Sequence, residues 1–441
     1  MKTNTRIIHP KEYTAEGAPA SIITPEMALR RSVMACMLWE DTFYEDGVDI
    51  AARIQDLVPK VAPAKVHAIA VEARTKMKLR HVPLLLAREM ARYPRHKELV
   101  AFTLSEIIQR PDELPEFLSI YWKEGKCPIA RQVKKGLASA FMKFNEYQLA
   151  KYNRDAAIKL RDVMFMVHPK PRDDWQASVW KRLAEGTLAT PDTWEVELSA
   201  GQGENKKESW ERLLKEGKLG ALALLRNLRN MHQVGVDSHL VFDALDAMNV
   251  ERVLPFRFIA AARAVPQWED KIEPALFRCV KNMPRFQGTT AVLVDVSGSM
   301  DSQISGKSDI RGVDAACGVA MLVRELADVF ALCTFSNSLV PVPPRRGFAL
   351  RDAILHSQYH GGTQLGMALE WLYVQLPGID RLIVITDEQA HDRVPAPQGR
   401  GYMINVAPYR NGVGYGAWTH IDGWSEAVLD YIQMVEQPEA V

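Results

Sequence analysis

The sequence has no long apolar run and few cysteines. Among its 441 residues, no stretch approaches the roughly 18 consecutive apolar side chains of a membrane-spanning helix, so no membrane partner is expected. The first residues, MKTNTRIIHPKEY, contain no apolar segment of the kind found in secretory signals. The five cysteines show no C-x-x-C spacing, which argues against a zinc ribbon or a disulfide framework and predicts small core residues. Together these absences favour a cytoplasmic protein.

Motifs of common enzyme classes are also missing. The chain has no P-loop and no G-x-S-x-G at a strand-to-helix turn. A nuclease usually needs paired carboxylates that hold two metal ions, and the sequence favours a binding site over such a catalytic one. We therefore expect a protein that is not an enzyme.

The chain is long enough for two or three domains, and its pattern of apolar residues changes near residue 285. In residues 1–285, apolar residues recur at spacings of three and four, as in the segment 25–39, where Thr24 is a candidate N-cap. This pattern predicts paired short helices in a HEAT-like α-solenoid, with a compact all-α domain as the alternative.

Residues 286–441 alternate short β-branched runs with helical stretches. The runs 289–296, 329–335, 381–386 and 401–406 read as strands buried on both faces. Such alternation predicts an α/β domain, a doubly wound parallel sheet with helices on both sides.

Oxygen-bearing side chains follow two of these predicted strands. Asp295, Ser297 and Ser299 form a D-x-S-x-S sequence after the first strand, and Asp387 directly follows the strand 381–386. Thr363, after two glycines, is placed at the same sheet edge. A set rich in hydroxyls and poor in carboxylates suits Mg²⁺, so we predict a divalent cation here.

The sequences DVSGS, GGT and TD resemble the von Willebrand factor A domain and its metal-ion-dependent adhesion site. The resemblance implies that Ser297, Ser299 and Thr363 contact the ion directly, while Asp295 and Asp387 act mainly through water. The alternative is that these side chains only cap helices. Glu388 and Gln364 also lie beside the site, where either could block the open coordination position.

A basic stretch lies in the helical part. Residues 123–172 contain 12 basic and four acidic residues. Interleaved aromatic residues at Phe141, Phe144, Tyr147 and Tyr152 would suit a flexible polyanion, whose phosphates pair with cations and whose bases stack on rings. The alternative is a solvated helix face with core aromatic residues.

Four segments, 24–45, 151–171, 223–231 and 253–263, look like the module shared by telomerase, Ro and vault proteins. That module followed by an A domain is the layout of the Ro ribonucleoprotein family. The resemblance implies a ring of HEAT-like repeats closed by the A domain. It also implies binding of small structured Y-type RNA and of single-stranded 3′ ends of misfolded RNA, in RNA quality control or as an adaptor for an exoribonuclease.

Carried over by position, the candidate RNA contacts are basic residues of the helical part: Lys134, Lys135, Lys143, Lys151, Arg154, Lys159, Arg161, His168, Arg226 and Arg229. Where the animal proteins carry Ser-His-Lys-Asp, this chain reads Lys159-Leu160-Arg161-Asp162, which lacks the histidine. Arg226 and Arg229 are candidates for the lining of the hole, or else form local ion pairs.

The second functional hypothesis is a metal-dependent, adhesion-type module that captures an acidic residue of a partner protein. The charge distribution favours RNA. The whole chain has a net charge of +1, but residues 286–441 carry 10 basic and 17 acidic residues, leaving a balance of +8 for residues 1–285. We expect a monomer whose RNA lies on the helical part.

Overall fold

The chain folds as helices followed by a mostly parallel sheet. It is seen in a computed structural model that describes residues 24–35, 47–77, 79–153, 155–189, 206–251, 253, 255–305, 308–406, 417–422 and 427–436. The last helix before the sheet ends at Val280 and the first strand begins at Phe286. The boundary expected from the sequence lies in the segment between them.

The helices of the first part follow one another with short connections. They are α1 (Pro25–Ala35), α2 (Gly47–Leu57), α3 (Pro63–Thr75), α4 (His81–Arg92), α5 (Lys97–Ile107), α6 (Glu113–Tyr121), α7 (Arg131–Phe141), α8 (Glu146–Tyr152), α9 (Leu160–Val167), α10 (Asp174–Glu185), α11 (Lys206–Lys215), α12 (Ala221–Gln233), α13 (Ser238–Ala247), α14 (Phe256–Ala264) and α15 (Glu269–Val280). Their apolar stripes are buried against neighbouring helices, as the spacing predicts. The HEAT-like repeat remains a prediction.

One helix boundary in the basic stretch differs from the expectation. The sequence predicts a helix starting near Arg154, a residue that lies outside the described residues, but the structure has α8 before it and α9 after it. Asn145 starts α8 because its side chain accepts the Gln148 N–H at 2.9 Å. Asp162 defines the start of α9 by accepting the Lys159 N–H at 2.9 Å.

The second part is an α/β domain. Its strands are β1 (Phe286–Asp295), β2 (Gln303–Ser305), β3 (Ser308–Arg311), β4 (Ala327–Phe335), β5 (Leu339–Pro341), β6 (Arg381–Thr386), β7 (Arg400–Asn405) and β8 (Thr419–Asp422), and its helices are α16 (Gly312–Leu326), α17 (Gly347–Leu355), α18 (Leu365–Gln375) and α19 (Ala427–Glu436). The main sheet has the order β5-β4-β1-β6-β7-β8, parallel except for the edge strand β5. The predicted parallel sheet is thus confirmed, and β5 and β8 extend it.

Successive residues of β1 supply two separate cores. Val292 and Val294 belong to a cluster that continues through α16, α17 and α19 into the helical part. Ala291 and Leu293 face the other side, where α18 covers the sheet. Helices therefore cover both faces, which is why the strands read as continuous apolar runs.

The two parts pack directly on each other. Helix α15 contacts α16 and α17, and the Glu273 carboxylate accepts the Phe348 N–H at 2.7 Å. A Cβ on Gly318 of α16 would lie 2.4 Å from the Phe256 ring of α14, so glycine is needed for this close approach. At the other end of the chain, α1 contacts β8, and the described chain thereby closes on itself.

The cysteine expectation holds only in part. Cys317 and Cys333 are buried and Cys279 is half-buried, but Cys127 is exposed, because it lies in the loop after α6 rather than in a helix. Cys36 lies outside the described residues. No helix in the described part of the chain is both long and apolar enough to cross a bilayer.

Candidate functional site

The five predicted metal-site residues belong to loops at the carboxyl edge of the sheet. Asp295 ends β1, and Asp387 follows β6, its parallel neighbour. The Gly298 N–H donates to the Gly361 carbonyl at 2.9 Å, which ties the D-x-S-x-S loop to the loop that carries Thr363. The Gly361 N–H in turn donates to the Ser336 hydroxyl, just after β4, at 2.8 Å. The neighbouring ends of β1, β4 and β6 thus bring these loops together, as the sequence predicts for Asp295 and Asp387. Thr363 differs from the expectation, because it lies between α17 and α18 and not directly at a strand end.

Hydrogen bonds orient the acidic and hydroxyl groups. The Asp295 carboxylate accepts the Thr386 hydroxyl at 2.6 Å and the Ser297 N–H at 2.8 Å. The hydroxyl oxygens of Ser297 and Ser299 are 3.1 Å apart. Asp295, Asp387, Ser297 and Thr363 are buried, whereas Ser299 is exposed at the rim.

The electrostatics of this cluster fit a cation. Burial raises the pKa of Asp295 to about 7, and the neighbouring Asp387 adds to the effect. Burial also raises the pKa of Asp387, and the Ser299 hydroxyl partly offsets that change. Oδ2 of Asp387 is buried with no hydrogen-bond partner among the described residues. Two buried carboxyls with one unsatisfied oxygen would be stabilised by a bound cation.

The donor set is poor in strong metal ligands. Within the described residues, no group of three or more histidine, cysteine, aspartate or glutamate side chains is arranged to hold a metal ion. Two carboxylates with nearby hydroxyls suit a hard cation that keeps several waters. The residues therefore fit Mg²⁺ better than zinc.

Of the two residues suspected of blocking the site, Glu388 is held away from the open position by a buried contact. Glu388 has a positive φ of 61° and is almost fully buried, where its carboxylate contacts the His420 imidazole of β8. Gln364 is exposed, and its N–H donates to the Ser336 carbonyl at 3.0 Å. Glu388 thus turns into the sheet and away from the rim.

The basic candidates on α7 divide into exposed and engaged side chains. Lys134 and Lys135 are exposed, and no ion pair is recorded for either in the described part of the chain. Lys143, just beyond α7, instead donates its ammonium group to the carbonyls of Ser105 and Ile108 at the end of α5. Burial lowers the pKa of Lys143. The structure therefore gives Lys143 a helix-capping role in place of the expected phosphate contact.

The candidates on α8 and α9 lie near the protein surface. The Lys151 ammonium is 6.0 Å from the ring centre of Tyr152. Lys159 pairs with the exposed Asp155 at 2.6 Å, and Arg161 is 4.0 Å from Asp162. Such solvent-exposed pairs are weak, so both cations can exchange these partners for phosphates.

His168 and the two arginines of α12 are exposed as well. His168 ends α9 in a left-handed conformation with φ of 50°. Arg226 and Arg229 flank the buried Asn227, whose side chain bonds to the Ala223 carbonyl at 2.8 Å. Neither arginine has an ion-pair partner among the residues that the structure describes. The polar interruption in α12 is thus satisfied within the helix, and its arginines remain exposed.

The aromatic residues expected to stack on bases are mostly elsewhere. Phe141 and Phe144 are core residues, and the Tyr152 ring lies under the Arg110 guanidinium at 4.6 Å. Among the four predicted rings only Tyr147 is half exposed, so the expectation was wrong for Phe141 and Phe144. Phe141 lies on the buried face of α7, and Phe144 packs into the core from the connection between α7 and α8.

An exposed ring that the sequence did not single out lies on α9. Phe165 is 57% exposed, four residues after Arg161 and three before His168, so the three share one helix face. Neighbouring α7, which carries Lys134 and Lys135, packs against α9. The signal was present in the sequence, because Phe165 is out of phase with the buried residues Val163, Met164 and Val167 of that helix.

Comparison with known proteins gives two matching families. Residues 180–303 match the family described as the TROVE domain, and residues 290–398 match the Ro60 vWA domain. Telomerase protein component 1 of Rattus norvegicus is 37% identical over 91 residues, or 19% of this chain. Its counterpart in Mus musculus is 39% identical over 95 residues, or 20% of this chain. The chain spans about 3% of the length of each of these relatives.

A solved structure shares the overall fold. The crystal structure of Deinococcus radiodurans RO (RSR) protein superposes with a TM-score of 0.64 at 18% identity, and the match covers 91% of this chain and 96% of that one.

Proposed function

Because the chain belongs to the Ro family, with a TROVE domain followed by a Ro60-type A domain, we propose that it is an RNA-binding ribonucleoprotein component. Its ligands are small structured Y-type RNA and the single-stranded 3′ ends of misfolded RNA. It acts in RNA quality control or as an adaptor for an exoribonuclease, and catalyses no reaction on the RNA.

The observation that supports RNA binding best is the outer face of α9. An exposed cation, an exposed ring and an exposed imidazole follow one another at Arg161, Phe165 and His168. Cations pair with backbone phosphates while a ring accepts the flat face of an unpaired base. The exposed Lys134 and Lys135 of neighbouring α7 extend the positive charge.

The test is a charge reversal with a matched control. Arg161→Glu on α9 and Arg393→Glu on the A domain change the net charge equally, and both side chains are exposed. With a fluorescent RNA that carries a single-stranded 3′ tail, we expect Arg161→Glu to weaken binding about tenfold and Arg393→Glu to change it little. Equal loss in both variants, or binding that ignores the tail, would contradict the proposal.

The A domain contributes a cation site in this proposal. Ser297, Ser299 and Thr363 would hold Mg²⁺ directly, with Asp295 and Asp387 acting through water. When bound, the ion supplies a positive centre that an acidic group of a partner can complete. The supporting observation is the unsatisfied, buried Oδ2 of Asp387.

The second candidate function is protein binding by the A domain. Helix α18 begins two residues after Thr363 and exposes Met367, Trp371 and Val374 along one face. An apolar stripe beside a cation site suits a partner protein that presents an acidic residue flanked by apolar ones. In that case Asp295→Ala abolishes capture of an exoribonuclease partner and Arg161→Glu leaves it intact. The opposite pattern would show that the partner is held through RNA.

A further inference from the structure

A cleft of about 350 Å³ opens where the helical part meets the A domain. Its walls come from the end of α15, the segment that joins α15 to β1, the end of α16 and the residue before α17. It is separate from the metal-site loops and from α7, α9 and α12. Its lining includes none of the proposed metal ligands or RNA contacts.

Positive charge dominates the cleft. Four cations, Arg278, Lys281, Arg285 and Arg346, line it, against the single carboxylate of Glu325. Arg346 pairs with Glu325, and Arg285 is balanced by Asp328 at 3.0 Å. Two of the cations remain unbalanced by these pairs.

These two cations are available to an anion. The Arg278 guanidinium donates to the Leu245 carbonyl at 2.7 Å, a contact that leaves its charge uncompensated. Lys281 is exposed, and no carboxylate is recorded against it in the described residues. A phosphate group would receive charge-assisted hydrogen bonds from both.

The remaining wall is apolar and includes an aromatic ring. Phe277, Val280, Met283 and Leu326 line it, and the Arg346 guanidinium lies over the Phe277 ring at 4.9 Å. Aromatic rings and guanidinium groups are both flat and delocalised, and both stack on nucleobases. The volume lies at the small end of the range for ligand pockets, which suits one nucleotide.

We propose that this cleft binds a single nucleotide, with the phosphate at Arg278 and Lys281 and the base against the apolar wall. The nucleotide is either a free nucleoside monophosphate or the terminal residue of an RNA strand. The second source rests on the proposed RNA-binding function, and the first does not.

Calorimetric titration of the full chain with AMP, adenosine and inorganic phosphate tests the proposal. AMP is expected to bind at least tenfold more tightly than adenosine or phosphate, because only AMP fills both halves of the cleft. Lys281→Glu should weaken AMP binding by tenfold or more, and Lys281→Gln by less. Lys181→Glu, an exposed lysine of α10, is the matched control and should leave the affinity unchanged.

Two outcomes would overturn the proposal: AMP that binds no better than adenosine or phosphate, and AMP affinity that is the same in Lys281→Glu and the wild type. Because Lys281 is exposed, the variants should keep the wild-type melting temperature, which is checked in parallel.

Competition with a single-stranded tetranucleotide distinguishes the two sources. Displacement of AMP by the tetranucleotide at a lower concentration than AMP itself identifies a strand end, and weaker displacement identifies the free nucleotide. Arg161→Glu should leave AMP affinity unchanged. The experiments therefore test RNA binding by α9 and nucleotide binding by the cleft separately, and either proposal can be contradicted while the other stands.

Discussion

Single side chains at the carboxyl edge of the sheet set the charge of the proposed cation site. Asp295 accepts two hydrogen bonds and lies beside a second buried carboxyl, so its charge is stabilised by local donors and destabilised by its surroundings. A cation would compensate that cost. The hydroxyls of Ser297 and Ser299 are close enough to contact the same ion.

Asp295→Asn keeps the size of the side chain and removes its charge. We expect Mg²⁺ affinity to fall by about ten- to a hundredfold, the usual effect of losing a group that supports the ligands. Calorimetric titration with MgCl₂ measures this. Asp352→Asn removes an exposed carboxylate of α17 that pairs with Arg351, and it serves as the control. Equal affinities in all three proteins would show that Asp295 supports no cation site.

Phe165→Ala removes the exposed ring between Arg161 and His168. Base stacking on one aromatic side chain is worth about 1–3 kcal/mol, so the affinity for single-stranded RNA should fall by about 5- to 150-fold. Fluorescence polarisation measures it, with Tyr359→Ala, an 85% exposed ring on the A domain, as the control. Unchanged binding in Phe165→Ala would assign the ring to another role.

At the scale of elements, the junction between the parts depends on the close approach of α14 and α16. Gly318→Ala places a methyl group 2.4 Å from the Phe256 ring and 3.0 Å from Ile259, so the helices must separate. The expected loss in the free energy of unfolding is about 1–3 kcal/mol. Gly220→Ala, with open space around it, should cost less than about 1 kcal/mol in the same denaturation experiment.

Helix α19 is held on the sheet by Glu436. Its carboxylate pairs with Arg381 and accepts the Tyr402 hydroxyl at 2.9 Å. Burial alone would raise the pKa of Glu436, but the hydrogen bonds from Arg381 and Tyr402 lower it below its usual value of 4.5. Because this pKa is lowered in the folded state, the carboxylate stabilises the fold at pH values above its usual pKa. This stabilisation is lost as the pH falls through the lowered pKa.

Glu436→Gln should therefore destabilise the protein by about 1–3 kcal/mol at pH 7. Below about pH 4.5 the difference from the wild type should narrow, because the wild-type carboxylate becomes protonated. Urea denaturation at several pH values measures both effects. A difference that stays constant down to pH 4 would show that the charge of Glu436 is not what holds α19.

Over the whole molecule, the near-zero net charge conceals two parts of opposite sign. A ligand held by phosphate contacts belongs on the helical part, whose balance is +8, and is repelled by the A domain. The closure of the described chain through α1 and β8 places these two parts in contact at both ends of the helical array.

RNA binding should depend steeply on salt. Six phosphate contacts at about −0.7 each give a log–log slope near −4, and hence a loss of roughly 250-fold between 50 and 200 mM salt. Arg161→Glu should make the log–log slope shallower by about 0.7, the value of one phosphate contact, and Arg393→Glu should leave the slope unchanged. Affinity that is independent of salt would exclude an electrostatic RNA interface.

The order of the two parts, the parallel sheet and the position of Asp295 and Asp387 at one edge of that sheet could all be predicted from the sequence. These follow from local periodicity and from the rule that parallel strands present their carboxyl ends at one edge. The sequence also determined the charge division, since composition does not depend on the fold.

The exposure of individual side chains, by contrast, depended on the folded structure. In the folded protein Phe141 and Phe144 are buried and Phe165 is exposed. The Glu388 carboxylate contacts His420, and the Lys143 ammonium caps the end of α5. The folded structure also created the cleft between α15 and α16, whose lining residues are far apart in the chain. Exposure and long-range contact depend on how helices pack, and a single helix does not specify which neighbours will cover it.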